Sequence, residues 1–98
     1  MEGLTISAAV AMKLGNKHRV SRREVEQAFE NRAGRLLKDQ REQHRTDPPT
    51  LWFIAPSNKG RLLKVVYIQR GRAIELRTAY EPNEVERAIY AKHGGVAY

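Results

Sequence analysis

An α+β domain is what this sequence predicts, with two N-terminal helices, an antiparallel meander of about four strands and a C-terminal helix. Three observations carry that reading. SRRE at 21–24 has the spacing of a helix-opening capping box. TLWFIA, LLKVVYIQ and AIELRTAY are β-rich runs separated by the turn signals PSNKG and RG. Pro82 then stands where a further helix would open.

The elements follow in order. Ser7 can cap a first helix, with Ile6, Val10 and Leu14 as its apolar stripe at i, i+4 and i+8. Gly15 and Asn16 end it near Lys17 and His18. Ser21 caps the second helix and Glu24 reaches back to it. Val20 sits at the staple position, and Val25, Ala28 and Phe29 form the inner face to about Asn31. After Gly34, Leu36 and Leu37 predict a short strand through Asp39. The strands 50–55, 62–69 and 73–80 complete the meander, with one of Trp52 and Phe53 in the core and the other covering a face. The last helix turns Val85, Ala88 and Ile89 inward, and Gly94 ends it. No repeat or interior linker interrupts the chain, so residues 1–98 read as a single domain.

Between the first predicted strand and the second lies REQHRTDPPT, residues 41–50. Tandem prolines stiffen it and deny it backbone donors, so it is neither helix nor central strand. Its mixture of titratable groups leaves two readings open: a solvated connector, or a rigid rim that fixes where His44 points. Asp47 either forms a turn or orients His44 or Arg45.

Composition narrows the function. The net charge is +7, and its distribution says more than its total. Residues 59–77 carry six basic groups (Lys59, Arg61, Lys64, Arg70, Arg72 and Arg77) against Glu75 alone. A basic field focused on one hairpin suits an anionic partner, either nucleic acid or an acidic protein. With no cysteine, disulfide scaffolds and thiolate metal sites are excluded. ISAAVAM is too short to span a bilayer and lacks a basic lead-in, so the expected location is the cytoplasm, without a membrane. The eleven acids are dispersed and the three histidines lie far apart, so no metal or other cofactor is expected. There is no glycine-rich phosphate loop and no GxSxG elbow.

The final hairpin can be read residue by residue. With Arg70-Gly71 as a two-residue loop, Tyr67 faces Ile74 and Val65 faces Leu76 as an apolar side. The other side then sets Lys64 directly across from Arg77, and Gly71-Arg72 as the loop instead keeps the two on one face. Like charges at facing positions repel by a few tenths of a kcal/mol to about 1, so something anionic is expected between them. That is either a bound anion or Glu75, with Lys64 reaching to water in the second case. Tyr80 falls on the apolar side in this register.

The chemistry these residue types permit is metal-free cleavage of RNA. It needs a base for the 2′-hydroxyl, an acid for the leaving oxygen and cations for the phosphorane. The catalytic candidates are His44, Lys64, Arg77, Tyr80 and His18; nucleic-acid-binding candidates are Lys59, Arg61, Arg45 and Lys17. His93, near the end of the last helix, reads as a cap.

VSRREVEQAF, preceded by a helix ending NKH, resembles the opening of BrnT-type toxins of the RelE/ParE superfamily. GRLLKVVYIQRGRAIELRTAYEPNEVERAIY resembles their closing strands and helix. The likeness covers roughly residues 8–92. It implies a RelE-like α+β endoribonuclease toxin neutralised by an antitoxin protein. Lys17 and His18 match the pair at the end of the family's first helix, and Lys64 lies on the strand matching its central one. Where BrnT-type sequences read SAR, this chain reads Thr78-Ala79-Tyr80. The chain also resembles a bacterial group of small proteins, some labelled ADP-ribosyl-dinitrogen-reductase hydrolase, although the acidic metal ligands of such enzymes have no counterpart here. The expectation is therefore an RNA-binding, metal-independent endoribonuclease, either monomeric or a small oligomer. Its alternative is a non-catalytic module of the same fold that docks an acidic protein or nucleic acid.

Overall fold

The computed structural model describes residues 1–41 and 46–98. It is an α+β structure built on a five-stranded mixed sheet. In chain order the elements are β1 (Leu4–Thr5), α1 (Ala8–Lys13) with a π-helical extension (Leu14–His18), α2 (Arg22–Glu30) and β2 (Leu37–Lys38). There follow β3 (Thr50–Pro56), β4 (Leu62–Arg70), β5 (Ala73–Tyr80) and α3 (Glu84–Ile89), the last with its own π-helical extension (Tyr90–Gly94). The strands lie in the order β1-β5-β4-β3-β2. The predicted meander is therefore present, and β1 adds a parallel edge strand that two residues were too few to announce.

Both helix-start signals act as their chemistry requires. Ser7 accepts from the Val10 N–H, and Ser21 and Glu24 close a capping box. The first helix ends near Lys17 and His18 as expected, although Gly15 and Asn16 themselves do not break it. It widens into the π-helical turn, which carries it through His18 and ends at Arg19 in the left-handed region (φ 53°). On one sheet face, Phe53 and Tyr67 pack edge-on against Phe29 of α2, with ring centroids 5.0 and 5.1 Å away. Val25, Ala28, Leu63, Val65, Leu76 and Ala79 fill the same core. Among the described residues no helix is long and apolar enough to cross a membrane.

The hairpin takes the second of the two expected loops, and its register then departs from expectation. Its loop is Gly71-Arg72, with Arg70 opposite Ala73. Tyr67 pairs with Leu76 but Val66 pairs with Thr78, so Arg77 is an extra residue on β5, a β-bulge. Beyond the bulge Lys64 stands across from Tyr80, not Arg77. The bulge shifts the phase of β5 by one residue, which moves Tyr80 off the apolar side onto the face of Lys64.

The C-terminal helix also corrects its expected orientation. Val85 and Ile89 are 68% and 42% exposed, and Ala88 is exposed too. What α3 and its extension turn toward the sheet is Glu86 and, four residues on, the fully buried Tyr90. Trp52 and Phe53 are both buried, so neither is an open platform.

Candidate functional site at the end of the last strand

Lys64 is the centre of the site. It is only 7% exposed, which for an ammonium requires a partner. Its Nζ donates to Glu86 Oε2 at 2.8 Å and lies 4.5 Å from the centroid of the Trp52 ring, a cation–π distance. The Tyr80 hydroxyl donates to the same Oε2 at 2.6 Å. The other oxygen, Oε1, accepts from the Asn83 N–H at 3.0 Å, and the Asn83 side chain accepts from the Glu86 N–H at 2.8 Å. One carboxylate thus closes the capping box of α3 and holds the two polar side chains of the sheet.

The ionisation states follow. Burial pushes the Glu86 carboxyl up, but the Lys64, Tyr80 and Asn83 donors outweigh it and hold the group below its usual range. Tyr80 moves the other way: burial, the hydrogen bond to Glu86 and the charge of Glu86 raise its phenol well above the ordinary value. At neutral pH Glu86 is therefore a carboxylate and Tyr80 a neutral phenol.

His18 completes it from the far side. The π-helical turn sets its ring 5.4 Å, centroid to centroid, from that of Tyr80. The backbone there is fixed by Arg61, whose guanidinium donates to the carbonyls of His18 (3.0 Å) and Arg19 (2.7 Å). Burial and then the charge of Lys17 lower the pKa of His18, so its imidazole is neutral at pH 7 and able to accept a proton. His18 and Tyr80 are an adjacent base and acid whose environments drive their pKa values apart.

Asp39 and Arg41 form the rim. Arg41 Nε and Nη2 donate to the two carboxylate oxygens of Asp39 at 3.1 and 2.9 Å, the fork geometry of a bidentate pair. Hydrogen bonding to Asp39 raises the Arg41 pKa against its burial, and the charges of Asp39 and Glu86 add to it. The rim borders two clefts. One, of about 620 Å³, runs past Trp52, Lys64 and Glu86 to Val85 and Ile89. The other, of about 240 Å³, is lined by Thr50, Val66, Arg77, Thr78 and Tyr80.

Of the residues singled out in the sequence, Lys64, Tyr80 and His18 come together. Arg77, on the bulge, lines the smaller cleft, half exposed, with Nη1 3.6 Å from Glu75 Oε1. Glu75 therefore does pair with Arg77, but Lys64 does not reach to water; it turns to Glu86. Lys17 is exposed beside His18, and Lys59 is exposed at the β3–β4 turn. Arg61 is a tie, also ion-paired with Glu24 and Glu81 at 3.1 Å each. His44 and Arg45 lie outside the described residues. Among the described residues no three of His, Cys, Asp and Glu gather as a metal site would require.

Sequence reasoning missed Glu86, Asp39 and Arg41. Glu86 had a signal: Asn83-x-x-Glu86 is the same capping signature as Ser21-x-x-Glu24. Compared with known proteins, the chain matches no family model, no curated protein and no solved structure.

Proposed function

We propose that the protein is a cytoplasmic RNA-binding domain that cleaves RNA without a metal at the His18–Tyr80–Lys64 cluster. The observation that carries the proposal is the contact of the His18 ring with the Tyr80 ring beside the buried Lys64, with the imidazole free to take a proton and the phenol holding one. His18 takes the proton of a 2′-hydroxyl, and the 2′-oxygen attacks the adjacent phosphorus. The P–O5′ bond breaks, and the Tyr80 hydroxyl supplies the proton the leaving 5′-oxygen needs. Lys64, with Arg77 and Arg41 at the cleft margins, stabilises the charge that builds on the phosphorane. The products are a 2′,3′-cyclic phosphate and a 5′-hydroxyl; water returns a proton to Tyr80 and removes one from His18.

The test is cleavage of a labelled RNA by excess purified protein in EDTA, with and without a translating extract. Cyclic-phosphate ends are expected, with rates falling at least about 100-fold in His18→Ala and Tyr80→Phe variants that still fold. Intact RNA under both conditions would refute the nuclease reading. A second reading, a non-catalytic module that docks an acidic protein, has its own support: Lys64 and Tyr80 already donate to a carboxylate. On that reading RNA stays intact, and an acidic partner protein takes the place of Glu86.

A further inference from the structure

The oxygen shared by Lys64 and Tyr80 has the chemistry of a bound anion. An ammonium and a phenol converge on a single point, at 2.8 and 2.6 Å, from neighbouring strands of a rigid sheet. What occupies that point is a carboxylate from another element, Glu86 of α3. The sheet supplies the donors and the helix supplies the anion.

That helix is lightly held. It buries none of its own six residues, and its apolar side chains Val85 and Ile89 face outward. Its firm anchor lies beyond its C-terminal end, where Tyr90 packs on Trp52 and donates to the Arg35 carbonyl at 2.8 Å. Toward the N-terminus the Glu86 carboxylate ties it to the sheet. The larger cleft runs along this side of α3 and reaches Lys64, so a ligand can approach the shared point from it. Arg41 stands on the same cleft in its bidentate pair with Asp39.

We propose that Lys64 and Tyr80 form a subsite for a phosphate oxygen and that Glu86 is its intramolecular occupant, which makes α3 a latch that an incoming phosphate displaces. The identity of the phosphate as RNA backbone rests on the function proposed above; the subsite and the latch do not. Binding is then a competition. A phosphate meets the site only in the fraction of molecules whose Glu86 has withdrawn, and apparent affinity is lowered by that fraction.

Glu86→Gln separates the two roles of this residue. Glutamine serves the capping box as well as glutamate does, so α3 keeps its start signal while the competing charge is lost. The experiment compares wild type, E86Q and the double variant E86Q/K64M for binding of inorganic phosphate, by thermal shift and by NMR titration at matched ionic strength. E86Q should bind phosphate at least roughly tenfold more tightly than wild type, and the double variant should lose that gain. Equal phosphate binding by E86Q and wild type overturns the latch, and a gain that survives loss of Lys64 overturns the subsite. Should E86Q not fold, Asn83→Ala weakens α3 without touching Lys64 or Tyr80; tighter phosphate binding is then expected, and unchanged binding overturns the proposal. An oligoribonucleotide run in parallel separates the two proposals. Phosphate bound by E86Q with RNA bound by neither protein leaves the latch standing and refutes the RNA reading. RNA bound equally by both, without a phosphate effect, does the reverse.

Discussion

The guanidinium of Arg61 reaches two backbone carbonyls and two carboxylates drawn from separate parts of the chain: His18, Arg19, Glu24 and Glu81. Only a planar fork can satisfy that many acceptors at once, and a lysine ammonium cannot. Arg61 and Lys64 are used alike. Each is held by the glutamate that closes a capping box, Glu24 for α2 and Glu86 for α3, and both carboxyls stay ionised because the donors outweigh their burial. Because Arg61 also fixes the turn that presents His18, replacing it should loosen the site as well as the fold. Arg61→Lys is expected to cost about 1–3 kcal/mol in urea unfolding, from charged hydrogen bonds left unmade. An unchanged unfolding midpoint would show that the tie contributes nothing.

At the scale of the element, α3 and the bulge in β5 decide what the site contains. Were Arg77 paired in regular register instead of bulged, Lys64 would face Ala79 and Tyr80 would lie on the opposite side of the sheet. Without the anchor at Tyr90, Glu86 would have no fixed reach. That anchor is built by two glycines. A Cβ on Gly34 would lie 2.5 Å from the Tyr90 hydroxyl oxygen and 2.8 Å from the Gly94 carbonyl, while one on Gly94 would run into the Tyr90 ring. Gly34→Ala should therefore overpack the seat, lower stability by about 1–3 kcal/mol and move the Tyr90 and Glu86 resonances together. A variant as stable as wild type, with α3 unmoved, would show that the seat has room to give.

Across the whole molecule, what local chemistry controls was legible and what long-range docking controls was not. Ser21-x-x-Glu24, the hairpin turns and the alternating strands each act within a few residues, so the α+β layout could be read from them. The orientation of α3 could not: Val85, Ala88 and Ile89 read as an inner face, yet the helix and its extension dock through Glu86, which Lys64 and Tyr80 hold, and through Tyr90. Nor could the bulge, since nothing local at Arg77 marks an unpaired residue. Lys64, Tyr80 and His18 were found as candidates by residue type, but their meeting depends on that bulge and on the π-helical turn. The basic hairpin is also less bare than its composition suggests, because Arg61, Lys64, Arg70 and Arg77 all have carboxylate partners. Binding should therefore depend on one site more than on a diffuse field. The most direct measurement is an NMR titration of the labelled protein with a non-cleavable 2′-O-methyl oligoribonucleotide. Shifts centred on His18, Trp52, Lys64, Tyr80 and Glu86 are expected. Shifts confined to the Lys59 turn and the outer helix faces, or no shifts at all, would contradict the account.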